Sequence, residues 1–492
     1  MMADNGYKAR VMSGALSTGA AQVIRIVLTF ASTIIVARLL SPSDYGTYAM
    51  AAPVIGFAML FQNIGFDHAI VQADEVDDVQ LSSLLWLNVG LCAVTSIILV
   101  AISPLVSVFY HNSASGVLVA ASALLLLSTA PNPLYNAMLN RSMRFHAQSL
   151  VEIVSSVAGF AATVIAAIVL RSYWALWIGS LLSTIANTAM FMILERWRPK
   201  FVFRWSAIRT MVGFGGGVSA ANISVFVTRN LDNVLLARFW GAAPLGLYDR
   251  AYKLMLFPLQ NFTGPMSRNV LPVLARTRDD GERFRRAFML FLQALTAVAV
   301  PGILVAAVAA EDVVQVLMGP RWSSAAPIFR WLAAAGALLI VNDAVLSLFI
   351  ATTRTRALVR WSLFSAVTVI IGFVAGLPWG PLGMAIAYFV GEAIRAPALF
   401  VAATRGTSVR VRHLFGLHVV TVFALVADLA VMAVLPTTLP AVVRPGVLLI
   451  VSYTASIAAQ FLSPFGRELM SIGMRWVGQS GRSLFVTLRR PR

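Results

Sequence analysis

The chain has 492 residues, 59% of them hydrophobic and only 12% charged, with a mean hydropathy of +0.81 and a formal net charge of +18. A soluble globular chain carries about 25% charged residues, so this composition excludes water as the solvent of most of the length and leaves lipid. The single cysteine, Cys92, lies in an apolar run, which excludes disulfides and argues against a thiolate metal site.

A spanning helix needs about 20 mainly apolar residues. Apolar runs bounded by charged or Pro/Gly breaks predict helices over 13–37, 46–66, 81–109, 115–138, 148–170 and 173–195. Further runs follow over 209–237, 247–270, 286–309, 324–350, 357–378, 381–403, 413–436 and 441–463. The expected fold is therefore all-α and integral to the membrane, with about fourteen transmembrane helices. Runs such as 124–127 and 164–170 are apolar on every side, which excludes the alternating pattern of a membrane β-barrel. Lys8 and Arg10 lead into an apolar stretch too long for the core of a cleavable signal peptide, so none is expected. Residues 464–492 read as a basic tail with an interfacial helix.

An even number of spans puts both termini on one side. If that side is the cytoplasm, the inner segments collect Arg141, Arg144, Arg196, Arg198, Lys200, Arg204, Arg276, Arg278, Arg354, Arg356, Arg405 and the basic tail. The outer loops hold Arg38, Arg171, Arg238, Arg321 and Arg444. The positive-inside rule favours cytoplasmic termini. The basic charge is spread over short loops that face anionic headgroups, and no compact basic face with interleaved aromatics points to nucleic acid. One inner segment, 67–80, is acidic, and its counterpart Arg276–Arg286 is basic, which suggests opposite charges meeting at the cytoplasmic mouth.

The chain also repeats itself. Val36-Ala37-Arg38, Gly46, Tyr48 and Ala51 are matched by Leu236-Ala237-Arg238, Gly246, Tyr248 and Ala251, at an offset of 200 residues without a gap. The match extends from Ala20-Ala21-Gln22 against Ala220-Ala221-Asn222 to Phe57 against Phe257. Two six-helix units of the same topology are implied, related by a pseudo-twofold axis along the membrane normal, with a site between them and rocking as the transport motion. The expected division is an N-lobe at 1–200, a C-lobe at 201–404, two further helices at 405–463 and the tail.

Three stretches carry a resemblance to a known family. They are Asn230-Leu231-Asp232-Asn233-Val234-Leu235-Leu236-Ala237-Arg238 with the following Leu245-Gly246-Leu247-Tyr248-Asp249-Arg250-Ala251-Tyr252-Lys253, Gly319-Pro320-Arg321-Trp322-Ser323-Ser324-Ala325-Ala326-Pro327, and Leu39-Leu40-Ser41-Pro42-Ser43-Asp44-Tyr45-Gly46. The chain resembles the polysaccharide flippases of the multidrug/oligosaccharidyl-lipid/polysaccharide superfamily, in the branch of colanic acid and succinoglycan exporters. The resemblance implies two six-helix lobes plus two helices, with spans 1, 2, 7 and 8 lining a central cavity.

An ionisable group at the centre of a spanning helix costs about 2.5–3.5 kcal/mol, so each requires a partner or a wet cavity. Arg25 in span 1 and Arg229 in span 7 are candidate contacts for a pyrophosphate or acidic sugar, as are Arg250 and Lys253 in span 8. A guanidinium presents a fork matched to phosphate oxygens. The bland alternatives are an internal salt bridge for Arg25 and snorkelling for Lys253. Arg229 and Asp232, three apart, are close enough to pair on one helix face. Asp343 and Asp428 lack a same-helix partner and are candidates for ion coupling or cavity ion pairs. Glu392 and Arg395 read as a local salt bridge beside Pro397. Gly213-Phe214-Gly215-Gly216-Gly217 has no following Lys-Ser/Thr, so a nucleotide loop is excluded, and small residues there suit helix packing.

The leading reading is a non-enzymatic flippase for undecaprenyl-pyrophosphate-linked oligosaccharide units of an exopolysaccharide or lipopolysaccharide, in a bacterial inner membrane. It takes no cofactor or metal and is expected to be monomeric, in contact with membrane lipids and with a polysaccharide polymerase and chain-length regulator. A multidrug or cation antiporter of the same superfamily is the second reading, disfavoured by arginines where carboxylates would serve. A membrane glycan polymerase is the third, disfavoured by short outer loops.

Overall fold

The computed structural model describes residues 2–62, 70, 76–436 and 438–472. All regular structure among them is helical: α1 Met2–Leu39, α2 Pro42–Leu60, α3 Asp78–Tyr110, α4 Ser113–Thr129, α5 Asn132–Arg141, α6 Phe145–Leu170, α7 Trp174–Leu194 and α8 Trp205–Trp240. These are followed by α9 Ala242–Pro258, a π turn at Leu259–Thr263, α10 Gly264–Thr277, α11 Gly281–Val308, α12 Ala310–Met318, a 3-10 turn at Pro320–Ala325 and α13 Ala326–Ala351. The chain closes with α14 Thr355–Gly376, a 3-10 turn, α15 Gly380–Thr404, α16 Val411–Val434, α17 Val443–Gln460 and α18 Pro464–Ile472. Nine helical stretches among the described residues are long and apolar enough to cross a membrane, or ten if the sharply bent α17–α18 pair counts as one span. One of the nine, Thr355–Thr404, contains both α14 and α15. The protein is a multi-pass membrane protein.

Local chemistry sets the helix ends. Ser41 caps α2, accepting from the Asp44 amide at 3.2 Å while the Asp44 carboxylate accepts from the Ser41 amide at 3.0 Å, and Pro42 starts the helix with a preset φ. Asp77 and Gln80 make the same reciprocal pair at the start of α3. The irregular segment after α7 hangs on α3: the amides of Lys200 and Arg204 donate to the hydroxyls of Ser82 and Ser83, and Trp86 Nε1 donates to the Lys200 carbonyl at 2.9 Å. Loop backbone is thereby satisfied without a sheet.

Packing divides the chain into two compact units, Met1–Asp249 with Leu317–Arg321, and Arg250–Val316 with Trp322–Arg492. In the first unit α6 packs on α7 and α1, α3 on α4, and α8 on α2 and α3. Small residues let the backbones approach: a Cβ on Gly159 of α6 would come within 2.7 Å of Ser183 Cβ and 3.2 Å of the Gly179 carbonyl of α7. In the second unit α11 lies against α13, α16 and α17, and buries Phe288, Leu292 and Leu295, while α13 buries Leu332, Ile340 and Phe349. Outer faces are apolar instead of polar. Ile97, Leu105 and Val108 of α3 and Ile165 and Val169 of α6 are all more than 60% exposed, a surface stable only against lipid tails.

The repeat reappears as a reciprocal contact inside the first unit. A Cβ on Gly46 would overlap the Ala242 carbonyl, and one on Gly246 would overlap the Pro42 carbonyl. These four positions form two pairs related by the 200-residue offset.

Of the acidic segment 67–80, residues 67–69 and 71–75 lie outside the described residues. Asp78 is held by Lys200 Nζ at 2.8 Å and Trp197 Nε1 at 3.1 Å. On the basic connector, Arg283 pairs with Asp280 at 3.1 Å and Arg286 with Glu468 of α18.

Candidate functional site

Within the first unit, Arg25 is exposed on α1 and donates through Nη2 to Gln22 Oε1 one turn earlier, at 2.6 Å. Arg229 is exposed on α8, whereas Asp232 is buried. Their spacing allowed an ion pair, but among the described residues none joins them. The Asp232 carboxylate instead accepts from Tyr248 Oη at 3.1 Å and from the Asn233 amide at 2.8 Å. A short carboxylate captured by a buried phenol and a backbone amide has no reach left toward an exposed guanidinium.

In the second unit, Arg250 is half-buried on α9 and Lys253 exposed, and Asp343 is exposed on α13. Glu392 and Arg395 of α15 form the expected i,i+3 pair, with side chains 9% and 4% exposed. Glu392 Oε2 also accepts from Asn342 Nδ2 of α13 at 2.9 Å, and Arg395 Nη1 donates to Thr368 Oγ1 of α14 at 3.3 Å. The pair is therefore the centre of a buried network that ties three helices. Asp428 of α16 is fully buried, beside the Ser452 side chain of α17. A further pair, unforeseen from sequence, joins Arg444 Nη1 of α17 to Asp312 Oδ1 of α12 at 3.1 Å. Its partners are 132 residues apart, so no local spacing could have signalled it.

Two cavities with polar side chains in their walls are not evident from the sequence. One of 390 Å³ in the first unit is lined by Gln62, Asn132, Asn136, Gln148, Glu152 and Asn187. The signal was present in part, since Asn132, Asn136 and Asn140 recur every fourth residue, as do Gln148 and Glu152. The other, 1280 Å³ in the second unit, is walled by Arg356, Arg360, Arg405, Trp361 and Phe364. At its edge Arg354 donates to the carbonyls of Ala402 and Ala403 at 2.8 and 2.9 Å, and stacks over Phe349 at 4.9 Å. Burial lowers the Arg354 pKa below the ordinary arginine value. In the sequence Arg354, Arg356 and Arg405 read only as inner-loop charge.

Among the described residues, no group of three or more His, Cys, Asp or Glu side chains forms a metal cluster.

The sequence and the fold of the chain both have counterparts among known proteins. It is similar to the lipopolysaccharide biosynthesis protein WzxC of Escherichia coli (strain K12), 25% identical over 78% of this chain and 79% of that protein. It is likewise similar to the teichuronic acid biosynthesis protein TuaB of Bacillus subtilis (strain 168), 26% identical over 73% and 77%, and to the succinoglycan biosynthesis transport protein ExoT of Rhizobium meliloti (strain 1021), 25% identical over 69% of each. In fold it matches the lipid II flippase MurJ in its inward closed conformation, with a TM-score of 0.73 at 12% identity over 93% of this chain and 100% of that one. An inward-facing multidrug resistance MATE family transporter of the MOP superfamily matches with a TM-score of 0.63 at 13% identity, over 81% and 98%. A family model described as polysaccharide biosynthesis protein matches residues 35–327, more than half of the length, and the chain belongs to that family.

Proposed function

We propose that the protein moves undecaprenyl-pyrophosphate-linked oligosaccharide units across a bacterial inner membrane, from the cytoplasmic to the outer leaflet, for assembly of an exopolysaccharide or lipopolysaccharide. The observation that carries this reading is membership of the polysaccharide biosynthesis protein family over residues 35–327. WzxC, a lipopolysaccharide biosynthesis protein, and ExoT, a succinoglycan biosynthesis transport protein, support the same cargo class.

The physical task is to carry a charged, hydrated headgroup through a hydrocarbon core while its polyprenyl tail stays in lipid. A pyrophosphate in a low-dielectric medium is prohibitively unfavourable unless cations accompany it. Arg25 and Arg229, and Arg250 and Lys253 of the other unit, are the side chains proposed to do so, through guanidinium forks and an ammonium point charge. Fourteen spans in two six-helix lobes with two added helices, both termini cytoplasmic, are the arrangement we adopt for alternating access. Asp343 and Asp428 are the proposed ion-coupling or cavity groups. No covalent step is involved, and the protein works as a monomer beside a polymerase and a chain-length regulator. The likeness to a MATE transporter extends to fold alone, and exposed arginines such as Arg25 and Arg229 suit an anion better than a cationic drug.

Deletion of the gene is expected to abolish surface polysaccharide and to accumulate lipid-linked units on the cytoplasmic side. Complementation by an Arg25→Ala/Arg229→Ala variant, expressed at wild-type level, should restore less than about a tenth of export, the factor that roughly 1.4 kcal/mol represents. Normal export from the deletion strain, with no redundant exporter present, would overturn the reading.

A further inference from the structure

The 390 Å³ cavity of the first unit holds an unusual lining for a membrane protein, with five carboxamides and one carboxylate in its wall. Gln62 lies in the turn just after α2, Asn132 and Asn136 lie on α5, Gln148 and Glu152 within the first eight residues of α6, and Asn187 two turns before the end of α7. The nearby helix ends carry Arg141, Arg144 and Arg198. Glu152 and Asn187 each lie seven residues inside their helix ends, about 10 Å at 1.5 Å per residue. The cavity therefore sits just within the basic end of the unit, the end that the positive-inside rule assigns to the cytoplasm.

Each amide is tied at one end only. Gln148 Nε2 donates to Asn136 Oδ1 at 2.7 Å and to Asn140 Oδ1 at 2.9 Å. Asn132 Oδ1 accepts from Thr188 Oγ1 at 2.7 Å, Asn187 Nδ2 donates to Ser155 Oγ at 3.4 Å, and Gln62 Nε2 donates to the Leu126 carbonyl at 2.8 Å. These bonds fix the side chains. They leave, among the described residues, the Asn132 and Asn136 Nδ2 donors and the Gln62, Gln148 and Asn187 carbonyl oxygens without a protein partner, together with the Glu152 carboxylate. A fixed mixture of donors and acceptors matches hydroxyl groups, which both give and accept hydrogen bonds. No lysine or arginine lines the cavity, and Glu152 repels phosphate, so the charged part of a lipid-linked cargo does not belong here. Phe191, Met59 and Pro133 supply an apolar wall for the C–H face of a ring. The volume falls within the range of about 300–1,000 Å³ usual for small-molecule sites.

We infer that this amide-lined cavity is a binding subsite for an uncharged sugar of the cargo, engaged while the glycan is on the cytoplasmic side. The assignment rests on the flippase reading and adds a second contact to it: arginines for the pyrophosphate, amides for the sugar. Lipids of the same tail and phosphate but no sugar would lack this contact.

The test uses the full chain in nanodiscs. Binding is measured for undecaprenyl pyrophosphate carrying one glucose, galactose or N-acetylglucosamine, and for bare undecaprenyl pyrophosphate. The wild type is expected to bind at least one sugar-bearing lipid about tenfold more tightly than the bare lipid, as two or three net hydrogen bonds would give. Asn136→Ala/Gln148→Ala should erase that margin and leave bare-lipid affinity unchanged. Gln148→Glu keeps the shape while changing the chemistry, so it decides the matter if the double variant does not fold. A margin that survives in the folded variants, or affinities for all four lipids that fall together, would overturn the subsite. A wild type that binds the four lipids equally removes the subsite but spares the flippase reading; a wild type that binds none of them removes both.

Discussion

Glu392 and Arg395 show how a charged pair survives inside a membrane protein. Each side chain has several hydrogen-bonding positions, and a pair alone would leave many of them empty. Asn342 and Thr368 occupy two of these, so the network, and not the pair by itself, offsets the desolvation of the charges. Removing one partner strands the other. Arg395→Leu is expected to destabilise the protein by about 3–5 kcal/mol, and Glu392→Leu by a similar amount. The double variant Glu392→Leu/Arg395→Leu should lose far less than the sum of the two, because no unpaired charge remains. Thermal unfolding in detergent reads all three, and additive losses would show that the two residues do not act as a unit. Asp232 makes a related point with a different outcome, since Tyr248, sixteen residues away, captures the carboxylate in place of the nearer Arg229.

At the level of elements, the crossing of α2 with the start of α9 depends on having no side chain at two repeat-related positions. Gly46 and Gly246 meet backbone carbonyls, which cannot rotate away as a side chain would. Gly46→Val should therefore sharply reduce the yield of folded protein. Gly90, exposed on α3 with nothing within 4 Å of its added Cβ, is the control. There, Gly90→Ala is expected to stabilise the helix by about 0.5–1 kcal/mol. Size-exclusion profiles and unfolding midpoints of the two variants check this, and equal behaviour would mean that the close approach of α2 and α9 is dispensable. The same logic of small residues governs α6 and α7 at Gly159 and Gly179, where lipid-soluble helices associate by contact and not by escape from water.

For the whole molecule, the distribution of arginines predicts the orientation. Alkaline phosphatase fused after Arg171 or Arg444 should be active, because these loops are expected to face outward. Fusions after Lys200 or Arg405 should be inactive there and fluorescent when green fluorescent protein is used instead. The opposite pattern would reverse the topology and move the amide cavity to the outer side, where a sugar would meet it only after crossing.

The amino-acid sequence by itself determined the solvent, the helical state and the repeat. All three are properties of local composition or of self-comparison: apolar runs of spanning length allow no other backbone state in lipid, and the 200-residue offset is visible wherever Arg, Gly and Tyr recur in step. The Glu392–Arg395 pair was legible for the same reason, as three residues on a helix are always neighbours. What only the tertiary structure decided is where each polar group finds its partner. Asn342 reaches Glu392 across 50 residues, Asp312 reaches Arg444 across 132, and the amide-lined cavity draws its side chains from the turn after α2 and from α5, α6 and α7. Helical periodicity says which face of a helix is polar but not which other helix that face will meet. That choice belongs to packing, where small residues such as Gly46 and Gly159 permit one approach of the backbones and exclude others.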